Sequence, residues 1–212
     1  MNGYTYLWIL GGIILILKIL EEIFKSPNVT GAYGEYVTVK QLEKLTGYKK
    51  IIRNPIFITE NESCEIDIIM IHETAIYVIE SKNYSGWIFG KENQFKWTQC
   101  LKRKRKNSFY NPIMQNRKHI KVLADLLNID TFQSVIVFSD RCELKKVEYN
   151  SNIILNKRTN AIRSIKYAVK NNPPILNEMQ IDEFYNRIMQ KAYFDKETRR
   201  KHIESIKAKQ KD

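Results

Sequence analysis

The sequence is poor in the residues that build disulfide frameworks and zinc sites. Its 212 residues include three cysteines, which are widely spaced and form no Cys-x-x-Cys pair. This usage argues against a zinc module or a disulfide scaffold and agrees with a reducing compartment. The three histidines show no spacing to a nucleophile that indicates a triad, so we assign them no catalytic role. The residues concerned are Cys64, Cys100, Cys142, His72, His119 and His202.

Acidic residues are also scarce relative to basic ones. There are 23 Asp and Glu against 35 Lys and Arg, which gives a formal net charge of +12. Such a charge favours an anionic partner, either nucleic acid or an anionic membrane surface, and does not by itself choose between them. Hydrophobic residues make up 43% of the chain, which is enough for the core of one ordinary domain with extensions.

The N-terminal segment lacks charge altogether. Met1 to Leu17 contains no charged side chain, and Leu7 to Leu20 contains ten Leu and Ile residues. We therefore predict a single transmembrane helix over residues 1–25. No basic n-region precedes it and no small-residue cleavage site follows it, so we expect a retained anchor rather than a signal peptide. A core helix of the soluble domain is the alternative.

The flanking charges predict how this anchor is oriented. No Lys or Arg precedes the apolar segment, whereas Lys18 and Lys25 follow it. Positive residues favour the cytoplasmic side of a membrane, so we expect the soluble part of the chain in the cytoplasm.

The most informative pattern joins two apolar stretches. Glu80, Ser81 and Lys82 close the stretch 75–79, and Asp67 lies inside the stretch 65–71. The two-residue period of a strand puts Glu80 and Lys82 on the same face.

The turn between the two stretches decides whether Asp67 also belongs to that face. Asp67 faces Glu80 if the turn is centred between Glu73 and Thr74 and has an even number of residues. A two-residue turn would need a positive φ at the β-branched Thr74, so we expect a four-residue loop over 72–75.

Two carboxylates held that close repel each other unless a cation lies between them. Oxygen ligands without cysteine or histidine favour Mg²⁺ or Mn²⁺ over zinc. Lys82 could then orient or deprotonate the attacking water and offset charge that develops on a phosphate. The alternative is an ordinary Glu-Lys pair at a strand end. Asp67 favours the metal site, because a lone carboxylate in an apolar strand is costly to bury.

Around these residues the chain resembles the nuclease-related domain family, often called NERD, of the PD-(D/E)xK nuclease superfamily. The resemblance runs roughly from Thr30 to Asp140. Its matching pieces, in chain order, are 31–35 (Gly-Ala-Tyr-Gly-Glu), 65–67 (Glu-Ile-Asp), 78–86 (Val-Ile-Glu-Ser-Lys-Asn-Tyr-Ser-Gly) and 111–115 (Asn-Pro-Ile-Met-Gln).

The resemblance implies a restriction-endonuclease-like fold and a role for each matching residue. It implies metal ligands at Asp67 and Glu80, a catalytic lysine at Lys82, and supporting roles for Glu35 and Gln115. The implied cofactor is Mg²⁺ or Mn²⁺, and no small-molecule cofactor is expected.

Glu35 and Gln115 also have interpretations that rest on helix position alone and not on the family resemblance. Glu35 would be a first-turn acid favoured by the dipole of a helix over 31–45. Gln115 would be a solvent-facing amide near the start of a helix that Asn111 caps and Pro112 begins.

The densest basic run lies between the acid-x-lysine strand and the Gln115 helix. We predict that it forms a loop that contacts phosphates, with the flanking aromatics Trp97, Phe109 and Tyr110 available to stack on bases. A solvated basic loop is the alternative. The run consists of Lys102, Arg103, Lys104, Arg105 and Lys106.

The remaining patterns predict an α/β (α+β) fold with a mixed β-sheet flanked by helices. We expect a transmembrane anchor at 1–25, a nuclease-related domain at 26–140 that opens with a linker at 26–28, and a helical extension with a charged tail at 141–212. The predicted strands are 51–52, 65–71, 75–81, 86–89, 133–139 and 152–155, and the predicted helices are 31–45, 112–127, 158–170 and 181–192.

These expectations combine into a membrane-anchored, cytoplasm-facing, metal-dependent nuclease that hydrolyses phosphodiester bonds of DNA or RNA. Two other hypotheses stay open from sequence alone. One is a non-enzymatic nucleic-acid-binding module tethered to the membrane. The other is a protein that binds a lipid surface or a protein partner.

Overall fold

A five-stranded mixed sheet forms the centre of the protein. The computed structural model describes residues 9, 12–16, 18, 27–60, 62–101 and 105–209. The sheet has the order β1-β4-β5-β9-β11, with β1, β4 and β5 antiparallel and β5, β9 and β11 parallel. Its strands are β1 (Lys49–Arg53), β4 (Ile68–His72), β5 (Ala75–Lys82), β9 (Phe132–Phe138) and β11 (Ile154–Lys157).

Helices cover both faces of this sheet. The central strands are almost continuously apolar because each of their faces packs against helices. On one face Ile69 and Val78 pack against α2 (Pro112–Leu127) and α4 (Glu178–Lys191). On the other face Tyr77 and Ile79 pack against α1 (Pro27–Leu42) and α3 (Arg158–Asn171). The predicted mixed sheet flanked by helices is confirmed.

A second, four-stranded sheet packs at the end of the central sheet. The buried Trp97 stacks on Phe138 of β9, with ring centroids 6.2 Å apart and an interplanar angle of 3°. The prediction that Trp97 is available to bases is therefore wrong, because its ring lies in the core. The strands, in the order β10-β6-β7-β8, are β6 (Gly86–Lys91), β7 (Lys96–Cys100), β8 (Lys106–Tyr110) and β10 (Cys142–Glu148).

The remaining elements form a small hairpin and a C-terminal helix. Strands β2 (Ile56–Ile58) and β3 (Ser63–Glu65) pair with each other. Ile56 also exchanges backbone hydrogen bonds with Tyr193, at 3.0 and 2.8 Å. Helix α5 (Lys196–Lys209) reaches β3, where Arg199 Nη2 lies 2.6 Å from Glu65 Oε1. Residues beyond 140 thus contribute β10 to the second sheet and β11 to the central one.

The predicted strand over 65–71 is interrupted. Ile66 and Asp67 lie between β3 and β4, where their backbone bonds to Pro55 and Asn54 instead of continuing one ladder. Asn54 has a left-handed conformation, with φ of 51°, and bends the chain between β1 and β2. The prediction of a single strand over 65–71 is wrong, because the neighbouring segment with which it pairs turns at Asn54.

The turn between β4 and β5 also differs from the prediction. His72 pairs with Ala75, so the turn has two residues, Glu73 and Thr74, rather than four. Thr74 does not adopt a positive φ. Its N–H donates to His72 Nδ1 at 3.1 Å, and this contact stabilises the tight turn. The register is nevertheless the predicted one. Ile68 pairs with Ile79, so Asp67, one residue before β4, comes level with Glu80.

Helix α1 begins earlier than predicted. Pro27 and Asn28 lie in the helix, so the predicted linker at 26–28 is wrong at these two residues. Pro27 is tolerated because the first turn of a helix leaves its N–H groups unbonded. Glu35 therefore lies in the third turn, and its interpretation as a first-turn acid is wrong.

The predicted membrane anchor falls mostly on residues outside the described ranges. Within the described part of the chain, no helix is both long and apolar enough to cross a membrane.

Asn111 anchors helix α2 to the second sheet. Its side chain accepts a hydrogen bond from the Ile113 N–H at 2.9 Å, which caps the helix as predicted. Its amide Nδ2 donates to the carbonyls of Lys91, Glu92 and Gln94 at 3.3, 2.9 and 2.7 Å. Asn111 is fully buried, so these bonds face no competition from water.

We expect Asn111→Ala to lower the free energy of unfolding by about 2–3 kcal/mol, because it removes a helix cap and leaves buried carbonyls without a donor. Urea unfolding measures this change. Asn111→Asp keeps the cap but turns a carboxylate toward the carbonyls, so it should destabilise at least as much. If Asn111→Asp kept a near-native free energy of unfolding, the helix cap alone would account for the contribution of Asn111 to stability.

Candidate active site

The candidate site lies at the edge of the central sheet where β5 ends. Glu80 and Lys82 project from the same face of β5, and Lys82 Nζ lies 2.6 Å from Glu80 Oε1. Gln115, from the first turns of α2, accepts a second hydrogen bond from Lys82 Nζ at 2.9 Å. The Glu80 side chain is 1% exposed and that of Lys82 is 17% exposed. The interpretation of Gln115 as a solvent-facing amide is therefore wrong.

Asp67 joins this edge from the residue that precedes β4. Its Oδ2 accepts a hydrogen bond from the Ser81 N–H at 2.7 Å, so its carboxylate continues the contact between the two strands. The Asn54 N–H donates to the Asp67 carbonyl at 3.0 Å and holds the backbone of this segment. Asp67 is partly buried beside Glu80 and Lys82.

Glu35 approaches the same edge from helix α1. Its Oε2 is buried and has no hydrogen-bond partner among the described residues. Burial raises the pKa of Glu35, and the negative charge of Asp67 raises it further. A carboxylate from the opposite face of the sheet thus comes within electrostatic range of Asp67 by reaching around the sheet end.

The three carboxylates, which we call the acidic cluster (Glu35, Asp67 and Glu80), destabilise one another's charge. Burial, followed by the charge of Glu80, raises the pKa of Asp67 to about 8. Burial also raises the pKa of Glu80, although Lys82 opposes the shift. Burial alone would lower the pKa of Lys82, but the charges of Glu80 and Asp67 outweigh it and raise the pKa. If all three carboxyls were ionised, the cluster would carry more negative charge than the one ammonium offsets, and this is why their pKa values are raised.

His119 is a residue of the site that sequence analysis missed. Its Nδ1 lies 3.4 Å from Glu80 Oε2, and within the described part of the chain neither atom has a hydrogen-bond partner. Burial, followed by the charge of Lys82, lowers the pKa of His119 to about 3, so the ring is neutral. The available signal was its spacing, because His119 is the fourth residue after Gln115, and an i, i+4 spacing places both on one helix face.

The donor set suits a hard divalent cation. All three members of the acidic cluster are oxygen donors, and Glu35 and Glu80 each have a buried oxygen without a hydrogen bond. Carboxylate oxygens with no thiolate favour Mg²⁺ or Mn²⁺. Across the described residues, no three His, Cys, Asp or Glu side chains are already gathered closely enough to enclose an ion. The chemistry of these oxygen donors therefore fits the metal, whereas the side chains as placed do not enclose one.

The predicted basic loop is only partly described. Lys102, Arg103 and Lys104 lie outside the described ranges, while Arg105 and Lys106 are exposed at the β7–β8 hairpin. No hydrogen bond or ion pair of the described residues joins either side chain to the acidic cluster. Their contact with nucleic acid stays a prediction.

Comparison with known proteins assigns the chain to a family. A sequence model of the nuclease-related domain family matches residues 30–139, which include every member of the acidic cluster, Lys82 and Gln115. The chain belongs to the nuclease-related domain family. Its sequence is also similar to an uncharacterised protein of Bacillus anthracis, at 30% identity over 200 residues that span 92% of each chain. The family resemblance seen in the sequence is confirmed, and the family match ends one residue after Phe138 of β9.

We expect Asp67→Asn to stabilise the metal-free protein. The pKa of Asp67 is raised in the folded state, so ionisation of this carboxyl lowers the free energy of unfolding as pH rises from about 4 towards 8. The asparagine does not titrate, and its side-chain oxygen can still accept the hydrogen bond from the Ser81 N–H. In EDTA the variant should melt about 2–4 °C higher at pH 8, equivalent to about 1 kcal/mol.

Thermal melts of both proteins across pH 5–9 provide the check. The difference should widen as pH rises and level off above pH 8. Asp125→Asn, an exposed change on α2, serves as the matched control and should show no such trend. A difference in melting temperature that stays constant across this pH range would contradict the raised pKa of Asp67.

Proposed function

We propose that this protein is a metal-dependent nuclease that hydrolyses phosphodiester bonds of DNA or RNA. The observation that carries the proposal is the meeting of Lys82 with the buried Glu80 and the partly buried Asp67 at one sheet edge. Membership of a nuclease-related family makes a phosphodiester the substrate class that this arrangement suits.

Asp67 and Glu80 would hold Mg²⁺ or Mn²⁺, and Glu35 would add a third carboxylate. When bound, the metal supplies a nucleophilic water at neutral pH and stabilises charge on the phosphate. Lys82 would remain protonated, because the neighbouring carboxylates raise its pKa. We therefore assign it the role of a cation that offsets negative charge on the reacting phosphate rather than that of a general base.

Gln115 and His119 would position the reacting groups rather than react themselves. Gln115 holds Lys82 Nζ by accepting a 2.9 Å hydrogen bond from it. A neutral His119 that carries its proton on Nδ1 would face Glu80 Oε2 and restrict the rotation of that carboxylate. Both residues come from α2, so the Asn111 anchor contributes to the geometry of the site.

We expect the full chain to cleave plasmid DNA, single-stranded DNA or RNA in Mg²⁺ or Mn²⁺ and to be inactive in EDTA. Asp67→Asn and Lys82→Ala should each reduce cleavage at least 100-fold, since losing one group that stabilises the transition state removes about 3 kcal/mol or more. Asp125→Asn and Lys121→Ala, two exposed changes on α2, are the matched controls.

Cleavage that survives in EDTA or in both site variants would contradict the proposal. Binding of nucleic acid without cleavage in any metal would instead support the tethering module that the sequence also allowed.

We further propose that residues 1–25 anchor the protein in a membrane with the nuclease-related domain in the cytoplasm. The charge-free segment Met1 to Leu17 supports the anchor, and Lys18 and Lys25 support the orientation.

The full chain should pellet with membranes and resist extraction by alkaline carbonate. Ile13→Asp combined with Ile14→Asp should release it, because each central aspartate opposes insertion by about 3 kcal/mol. Ile13→Leu with Ile14→Leu is the control and should stay in the pellet. A wild-type chain that carbonate extracts fully would show that the segment is not a transmembrane anchor.

A further inference from the structure

The sheet edge that carries the acidic cluster continues beyond Lys82. Strands β5, β9 and β11 are parallel, so their carboxyl ends meet at this edge. The Ser139 N–H, directly after β9, donates to the Lys82 carbonyl at 2.9 Å. The next strand ends at Lys157, and α3 begins at once with Arg158. Residues 139–141 and Arg158 therefore adjoin the candidate active site on its β9 side.

Arg141 is held in place at this edge by neutral partners. Its Nη2 donates to the Asn83 carbonyl at 3.3 Å and to Asn83 Oδ1 at 3.1 Å. Its Nε donates to Ser139 Oγ at 3.3 Å. The side chain stays exposed, so the guanidinium is oriented but still open to a ligand. Asn83 directly follows Lys82, so Arg141 contacts the residue next to the proposed catalytic lysine.

Arg158 brings a second guanidinium to the same place. The residue is 9% exposed, and its Nε donates to Thr38 Oγ1 of α1 at 3.2 Å. A Cβ at Gly34 would lie 3.0 Å from Arg158 Nη2 and 3.4 Å from Asn83 Cγ, so Arg158 and Asn83 meet at the α1 backbone. Burial lowers the pKa of Arg158, and the charge of Arg141 lowers it further. Two like charges thus share one end of the sheet.

The nearest carboxylate, Asp140, does not neutralise this pair. Its Oδ1 and Oδ2 accept hydrogen bonds from the Thr159 N–H and Oγ1, each at 3.1 Å, and cap α3. Its charge only partly opposes the lowered pKa of Arg158. None of the ion pairs formed within the described residues includes Arg141 or Arg158.

We propose that Arg141 and Arg158 form a phosphate-binding subsite that holds a backbone phosphate of the nucleic-acid substrate next to the phosphate that is cleaved. The planar guanidinium fork matches phosphate oxygens in pairs, and an anion between the two arginines relieves their repulsion. This inference rests on the proposed nuclease function, because that function names the substrate. Both arginines lie beyond residues 30–139, so the subsite is an addition to the part of the chain that the family match covers.

The test is equilibrium binding of fluorescent single-stranded and duplex oligonucleotides to the full chain over a range of salt concentrations. EDTA or Ca²⁺ replaces Mg²⁺ so that binding is measured apart from cleavage. Arg141→Ala and Arg158→Gln are the variants. Arg163→Ala, an exposed arginine on α3 whose guanidinium bonds to Asn160, removes the same charge and is the matched control.

We expect Arg141→Ala to weaken binding about five- to tenfold, as the loss of one charge-assisted contact does, and to reduce the slope of log K against log salt by about 0.7–0.9. Arg158→Gln should act in the same direction, and circular dichroism should show both variants folded. Arg141→Lys should recover part of the affinity, because it restores the charge without the fork. Arg163→Ala should match the wild type.

Affinity and salt slope unchanged in Arg141→Ala would overturn the subsite. So would the absence of oligonucleotide binding by the wild type, or equal competition by inorganic phosphate or anionic vesicles at matched phosphate concentration. Arginine-dependent binding by a chain that never cleaves would support the subsite while refuting the nuclease. Cleavage that needs Asp67 and Lys82 but not Arg141 would support the nuclease and refute the subsite.

Discussion

The repulsion between closely placed carboxylates at the end of β5 is the constraint on which the rest of the site depends. Glu80 is almost fully buried, and Asp67 lies beside it with a pKa of about 8. One ammonium, Lys82, offsets part of this charge and is itself kept protonated by the pair. An arrangement that opposes its own folding is typical of functional sites, because the same charges favour a cation when one binds. The surrounding packing must hold these groups in place against their repulsion.

The topology of the central sheet explains why so many polar groups meet there. The amino end of β4 and the carboxyl ends of β5, β9 and β11 lie along one edge, so Asp67, Lys82, Ser139 and Arg158 become neighbours. Helix α2 reaches this edge from one face, and α1 brings Glu35 from the other. The result is an acidic centre with an arginine pair on the β9 side, a distribution of charge that suits a metal next to a polyanion.

Local patterns predicted the parts of the site whose geometry is local. Alternation along one strand put Glu80 and Lys82 on one face, and an even-length turn put Asp67 opposite Glu80 although the turn length itself was wrong. Asn111 and Pro112 predicted the start of α2 correctly. The interruption of the strand at Asp67 was missed because it depends on the left-handed Asn54, in another segment. Trp97 was misjudged because its burial depends on Phe138, some forty residues later in the chain.

The sequence by itself determined the family, the mixed sheet with its flanking helices, and the acid-x-lysine face of β5. Each of these follows from the two-residue period of strands, the periodicity of helices or a matching motif. Only the tertiary structure decided that Glu35 lies within electrostatic range of Asp67, that His119 faces Glu80, and that Arg141 lies within electrostatic range of Arg158. These pairs join residues far apart in the chain, and their burial in the fold sets the pKa values, so no local pattern predicts them.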